Sequence, residues 1–288
     1  MEPDRGGRGA GLAAVVLAVT AFSWGFILVK SIELPPPVLA FWRVLAGATV
    51  LTCAAFALRV PWPRRFGMVL LAGLAFGAHQ LLYIAATKLT SVAIVTTIGA
   101  TQPLFVMMVS QRLLTERVAP RLFLFGAIAA GGIGLVVLGS IGDISRSTTG
   151  DLLAVANVGV FTAYFLAAKR ARMDGARTLT FTAAFLLCAL PVVASAMLLW
   201  SGPAAPSTGT QIGLLAVLAL GPGNGHLLLN WAHPRVSAAL SSLVLASVPM
   251  LSSIWAYLVL GEPLGWRHAV GIGLVVLAIE ASRRTEMR

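Results

Sequence analysis

The chain has 288 residues, of which 58% are hydrophobic and only 11% charged, whereas a water-soluble domain carries about 25% charged residues. Too few polar side chains exist to cover a water-facing surface, so lipid is the expected covering and an ordinary soluble enzyme is excluded. Lys and Arg (21) outnumber Asp and Glu (10) for a net charge of +11, but they fall in short runs between apolar segments. No basic face with interleaved aromatics is present, so a nucleic-acid partner is not expected.

A spanning helix takes about 20 mostly apolar residues. In chain order the sequence predicts ten such spans, at 11–31, 38–58, 67–87, 91–113, 121–140, 151–170, 178–199, 212–232, 236–260 and 267–283. The first follows Arg5 and Arg8 as a signal peptide would. It is longer than a signal core, and Pro35 to Pro37 follow it instead of a small-residue cleavage site, so it is read as a retained helix. Turn formers separate the spans: Pro61 and Pro63, Pro120, Gly202 to Pro206, and Gly261 to Pro263. No linker is long enough for a soluble domain, so residues 1–288 are read as one membrane domain. Cys53 and Cys188 lie inside apolar segments and are expected to be free, buried thiols.

Lys and Arg in the loops set the orientation. With the N-terminus cytoplasmic, 16 of the 21 fall on the inner side, among them Arg59, Arg64, Arg65, Arg117 and Arg170. Lys30, Lys88, Arg146 and Arg267 fall outside, and Arg43 lies within the second span. The expectation is a multi-pass protein of a bacterial inner membrane with both termini cytoplasmic.

An internal repeat decides the architecture. At an offset of 146, Gly77 pairs with Gly223, Leu82 with Leu228, Ala86 with Ala232, Ser91 with Ser237, Pro103 with Pro249, Glu116 with Glu262 and Arg121 with Arg267. At an offset of 139, Phe22 pairs with Phe161, Phe26 with Phe165 and Lys30 with Lys169. The halves, 11–140 and 151–283, hold five spans each. An odd number makes them enter the membrane from opposite sides, the arrangement that builds alternating-access transporters with a solute site near midplane.

The segment from Gly77 to Glu116 resembles the first half of an EamA-type protein of the drug/metabolite transporter superfamily. So do Trp24-Gly25, Phe41-Trp42-Arg43, and Pro249 followed by Gly261-Glu262. Within the superfamily the chain looks most like the YddG-type exporters of aromatic amino acids. The resemblance covers nearly the whole chain. It implies an all-α fold of ten helices, two inverted five-helix repeats around a central cavity lined mainly by spans 1, 3, 4, 6, 8 and 9.

Polar groups within the bilayer are costly, which makes them site candidates. His79 and Tyr83 share a face of span 3 one turn apart and suit a carboxylate, a hydroxyl or an aromatic ring; a histidine satisfied by a neighbouring helix is the bland alternative. Gln102 precedes Pro103, and Pro103 and Pro249 each remove a helical hydrogen bond, which makes them kink points for gating or sources of free carbonyls. Gly221 to His226 is expected to be irregular, with Asn224 a polar contact and Gly223 and Gly225 hinges, or else close-packing glycines. Trp24, Asn157 and Tyr164 are cavity candidates that interface anchoring or packing would equally explain. Arg43, five residues inside span 2, suits a carboxylate clamp, with snorkelling to the outer interface the favoured reading; Gly73 and Gly77 are read as helix-packing residues.

No Asp or Glu lies deep in a span except Glu280. This argues against a cationic substrate and for a neutral or zwitterionic one, carried downhill or with weak proton linkage through His79. No Gly-x-Ser-x-Gly or His-Glu-x-x-His motif occurs, so no catalytic residue, metal or cofactor is expected. The reading is a monomeric alternating-access exporter of aromatic or hydrophobic amino acids and related small amphipathic metabolites. Its alternative is a transporter of a nucleobase, sugar derivative or lipophilic drug on the same fold.

Overall fold

The structure is a computed structural model that describes residues 5–90, 95, 98–99, 101–114, 118–139, 147–260 and 265–286. Among the described residues the chain is helical throughout, with no strand. Ser91, Glu116, Arg117, Arg146, Gly261, Glu262 and Pro263, on which parts of the repeat, orientation and turn readings rest, lie outside the described residues.

Within the described residues, each apolar segment read from the sequence falls mainly on helix. The first is divided at Trp24 into α1 (Arg5–Ser23) and α2 (Gly25–Ser31). Then come α3 (Pro36–Ala57) and α4 (Gly67–Leu89). The fourth segment is helical at 95 and 98–99, turns at Thr101 and continues as α5 (Gln102–Leu113). Next are α6 (Pro120–Gly139), α7 (Thr148–Met173) and α8 (Thr178–Trp200). The eighth segment is α9 (Gly209–Leu220) and α10 (Pro222–Ala232), the ninth α11 (Ala238–Leu245) and α12 (Val248–Leu260), and the tenth α13 (Trp266–Glu286). Six stretches are long and apolar enough to cross a bilayer: Gly7–Ser31, Pro36–Ala57, Gly67–Leu89, Thr148–Met173, Thr178–Trp200 and Gly209–Ala232.

Apart from the one at Trp24, the breaks within the apolar segments fall where the backbone loses a donor. Pro103, Pro222 and Pro249 stand in the first turns of α5, α10 and α12, where a missing N–H leaves no partner wanting. Pro103 and Pro249 therefore begin new helices instead of kinking continuous ones. The irregularity expected over Gly221 to His226 is confined to Gly221, which has φ −82° and ψ −88°. Gly223, Asn224, Gly225 and His226 are regular helix, because a proline at the first helical position restarts the ladder at once.

Helix α4 is sandwiched between α7 and α8, α8 also packs on α3, α6 packs on α13, and α1 on α10. Gly73 and Gly77 set the α4–α8 distance. A Cβ at Gly73 would lie 2.6 Å from the Phe185 carbonyl, and one at Gly77 2.9 Å from that of Ala189, so the packing reading of this pair fits the geometry. The outer surface is apolar: Leu17, Phe56, Leu124, Leu152 and Leu199 are all exposed, as a lipid-facing surface requires. Both cysteines are free, but Cys53 is exposed on that surface and Cys188 only half-buried, correcting the expectation of two buried thiols. Lipid and protein interior are alike apolar, so an apolar segment does not announce which way a thiol faces.

Candidate functional site

A cavity of about 140 Å³ opens where the broken helices meet. At about 10–15 Å³ per water-sized sphere it has room for a solute the size of an amino acid. Gly25 of α2, Gln102 of α5, Pro222 of α10 and Ala246 and Pro249 at the α11–α12 break all border it. Backbone irregularity thus lies against a cavity, the one place at membrane depth where it is tolerated.

Four of the residues singled out as solute contacts come together here: His79, Tyr83, Gln102 and Asn157 line the cavity. His79 Nδ1 and Asn157 Oδ1 are 2.7 Å apart. An amide oxygen can only accept, so this pairing assigns the proton to Nδ1 and leaves Nε2 as an acceptor. The His79 and Tyr83 rings stack at 5.7 Å and 24°, and Phe161 lies 4.6 Å from His79. Gln102 is buried and its amide nitrogen has no hydrogen-bond partner. An unpaired buried donor costs about 1–3 kcal/mol, which a solute acceptor would recover.

Three further candidates lie elsewhere. Tyr164 is fully enclosed behind the wall, with its hydroxyl 3.2 Å from His226 Nδ1, and it supports that ring. Trp24 stacks on Trp255 at 5.1 Å and 30°, beside the break it creates. Asn224 is exposed, returns its side-chain amide to the Leu220 carbonyl, and borders a second, smaller cleft. Gly223 borders that cleft too. Gly225 is buried, and a Cβ there would sit 2.6 Å from the Phe22 ring, so it serves close packing.

Sequence reasoning missed the aromatic wall and His226, and preferred the snorkelling reading of Arg43 to the carboxylate clamp. Phe22, Phe26 and Phe161 line the cavity; all three figure in the repeat at offset 139, which was the available signal. His226 faces it as well, 4.6 Å from Phe22 and 4.7 Å from Phe76. Arg43 does not snorkel to the interface. It is buried, donates from Nη1 to Gln80 Oε1 at 2.8 Å, and borders both the cavity and the smaller cleft. Among the described residues, those bordering either space are non-acidic.

Comparison with known proteins bears on what this cavity serves. The model of the EamA-like transporter family matches twice, over residues 9–138 and 148–281. A pseudopaline exporter, CntI, of Pseudomonas aeruginosa is 26% identical over 95% of this chain and 96% of its own. Protein PecM of Dickeya dadantii is 27% identical over 89% of this chain and 87% of its own. A crystal structure at 21% identity superposes with a TM-score of 0.78, covering 98% of this chain and 99% of that one, a likeness of fold.

Proposed function

Because the chain belongs to the EamA-like transporter family, a family of membrane transporters and not of enzymes, we propose that it exports a small amphipathic, amino-acid-like metabolite by alternating access. The observation that carries this reading is the cavity at the helix breaks, lined both by the aromatic rings of Phe22, Phe26 and Phe161 and by the polar side chains of His79, Asn157 and Gln102. Such a wall stacks an apolar or aromatic side chain while hydrogen-bonding a polar head. The export direction is supported by the relative named as an exporter.

Ten membrane crossings with both termini cytoplasmic fit the helices at all ten apolar segments and the bias of Lys and Arg to one side. Two inverted five-helix halves fit the family's double match and the paired breaks before Pro103 and Pro249. Aromatic amino acids are the first substrates to try, since Phe22, Phe26 and Phe161 offer ring contacts on a wall whose described residues include no carboxylate. A cavity formed within one chain suits a monomer.

The test is flux of radiolabelled phenylalanine and tryptophan into liposomes holding the purified protein, with and without a pH gradient. Saturable flux is expected, lowered at least tenfold by His79→Ala, a change that removes a ring contact and a hydrogen bond together worth about 1.4 kcal/mol or more. Flux indifferent to the gradient identifies a facilitative carrier, and flux that follows it makes His79 a proton carrier. Folded protein that moves neither amino acid overturns the aromatic assignment.

A further inference from the structure

Arg43 is a formal positive charge inside an apolar helical protein, 7% exposed, on the wall common to the cavity and the smaller cleft. Its polar partner among the described residues is neutral: Gln80, itself 1% exposed, which accepts from Nη1 at 2.8 Å. The Tyr83 ring lies 5.9 Å from the guanidinium carbon, a contact that helps a cation but does not neutralise it. A guanidinium offers five N–H donors, so most of its capacity is unspent. Buried charges in proteins are paired or neutralised, and arginine remains protonated at any working pH. A buried cation on a ligand-sized cavity without an acid among the described residues of its wall therefore calls for an anion from outside the chain.

We propose that Arg43 is the anion-binding group of the cavity and that the transported solute carries a carboxylate seated on its fork. This rests on the transport reading and names its substrate class. The planar fork matches a carboxylate with two parallel N–H···O bonds, and Gln80, by holding one Nη, fixes the direction in which the other donors point. The solute's apolar part then lies against Phe22, Phe26 and Phe161, and a donor on it meets the free Nε2 of His79. Gln80 acts as a positioning residue, reaching the solute only through Arg43.

Binding can be read apart from transport by thermal unfolding of the detergent-purified protein with three probes: 3-phenylpropanoate, 3-phenylpropanamide and inorganic phosphate. At saturation the acid should raise the wild-type midpoint on the order of 3 °C, while the amide and phosphate leave it in place. Arg43→Met should abolish the acid's shift. Arg43→Lys, which keeps the charge and protects against loss of folding, should retain about half of it because the fork is lost. Gln80→Met should reduce it without abolishing it. The proposal is overturned by equal shifts with acid and amide, by a phosphate shift matching the acid's, by no shift with any probe, or by an undiminished acid shift in Arg43→Lys and Arg43→Met. Arg43-dependent binding without flux in liposomes would remove the transport reading and leave the assignment of Arg43 standing. Equal flux of amide and acid would do the reverse.

Discussion

At the scale of single residues, a polar side chain inside this protein has two lives, facing the cavity or stitching backbone at the edge of the bundle. Lys169 belongs to the second kind: it donates to the carbonyls of His233 and Val236 at 2.9 and 2.6 Å, fastening α7 to the turn between α10 and α11. His233, in that turn, is fully buried, with Phe165 edge-on at 4.9 Å and neither ring nitrogen hydrogen-bonded. Burial first, then the positive charges of Lys169 and Arg172, hold its imidazole well below the usual value near 6.5. The unfolded chain takes up a proton as pH falls below about 6.5 and the folded chain does not. The stability at stake is therefore complete above that pH and lost as pH falls, by up to about 1.4 kcal/mol per unit. The unfolding midpoint in detergent should decline from pH 7 to pH 5, and more shallowly in His233→Leu. Identical slopes in the two proteins would contradict this. His79, Tyr83, Gln102 and Asn157 could be singled out from polarity at membrane depth together with the family resemblance that put span 3 at the cavity. For Arg43 the sequence left a carboxylate clamp and snorkelling both open, because distance from a span boundary gives depth along the axis and says nothing of which way the side chain turns. Tyr164 and Trp24 failed for the same reason, as an aromatic is equally at home in lipid, in a core or at a cavity.

At the scale of elements, length and composition were enough to place helices, since an apolar run in a bilayer must satisfy its own backbone. The finer architecture lies in the breaks, and these were only half legible. Pro103, Pro249 and the Gly221-Pro222 run announced discontinuities, while Trp24 marks one that no proline reveals. Among intact elements, α4 and α8 approach closely through Gly73 and Gly77. A side chain at Gly73 would meet the Phe185 carbonyl at 2.6 Å as well as the Cβ of Cys188. Backbone cannot swing aside as a side chain can, so the helices must separate. Gly73→Leu should cost about 1–3 kcal/mol, as overpacking does, and lower the unfolding midpoint by several degrees. Gly134, whose added Cβ would meet nothing within 4 Å, supplies the control: Gly134→Ala should leave the midpoint unchanged or slightly raised. Equal losses at both positions would show that the α4–α8 contact is not what limits stability.

At the scale of the whole molecule, the proposed inversion of the two halves has a consequence that a single site cannot mimic. Two five-helix units related by an axis in the membrane plane exchange conformations when the cavity changes sides. A hinge in one half then acts on the cytoplasmic gate as its counterpart acts on the periplasmic gate. Pro103 begins α5 after the turn at Thr101, and Pro249 begins α12 after the break at Ala246 and Ser247. Each lies where a helix restarts beside the cavity. Alanine at either position restores a donor and favours a continuous helix over a broken one. The population ratio of the two states should therefore shift in opposite directions in Pro103→Ala and Pro249→Ala, by about tenfold for each 1.4 kcal/mol of bias. A cysteine placed at Val95 on the cavity wall, in a background with Cys53 and Cys188 replaced by Ser, reads this out through labelling by a membrane-impermeant maleimide from each side of sealed vesicles. Labelling from one side should rise in one variant and fall in the other. Changes of the same sign in both would mean that the halves are not mechanically inverted, whatever their sequence likeness.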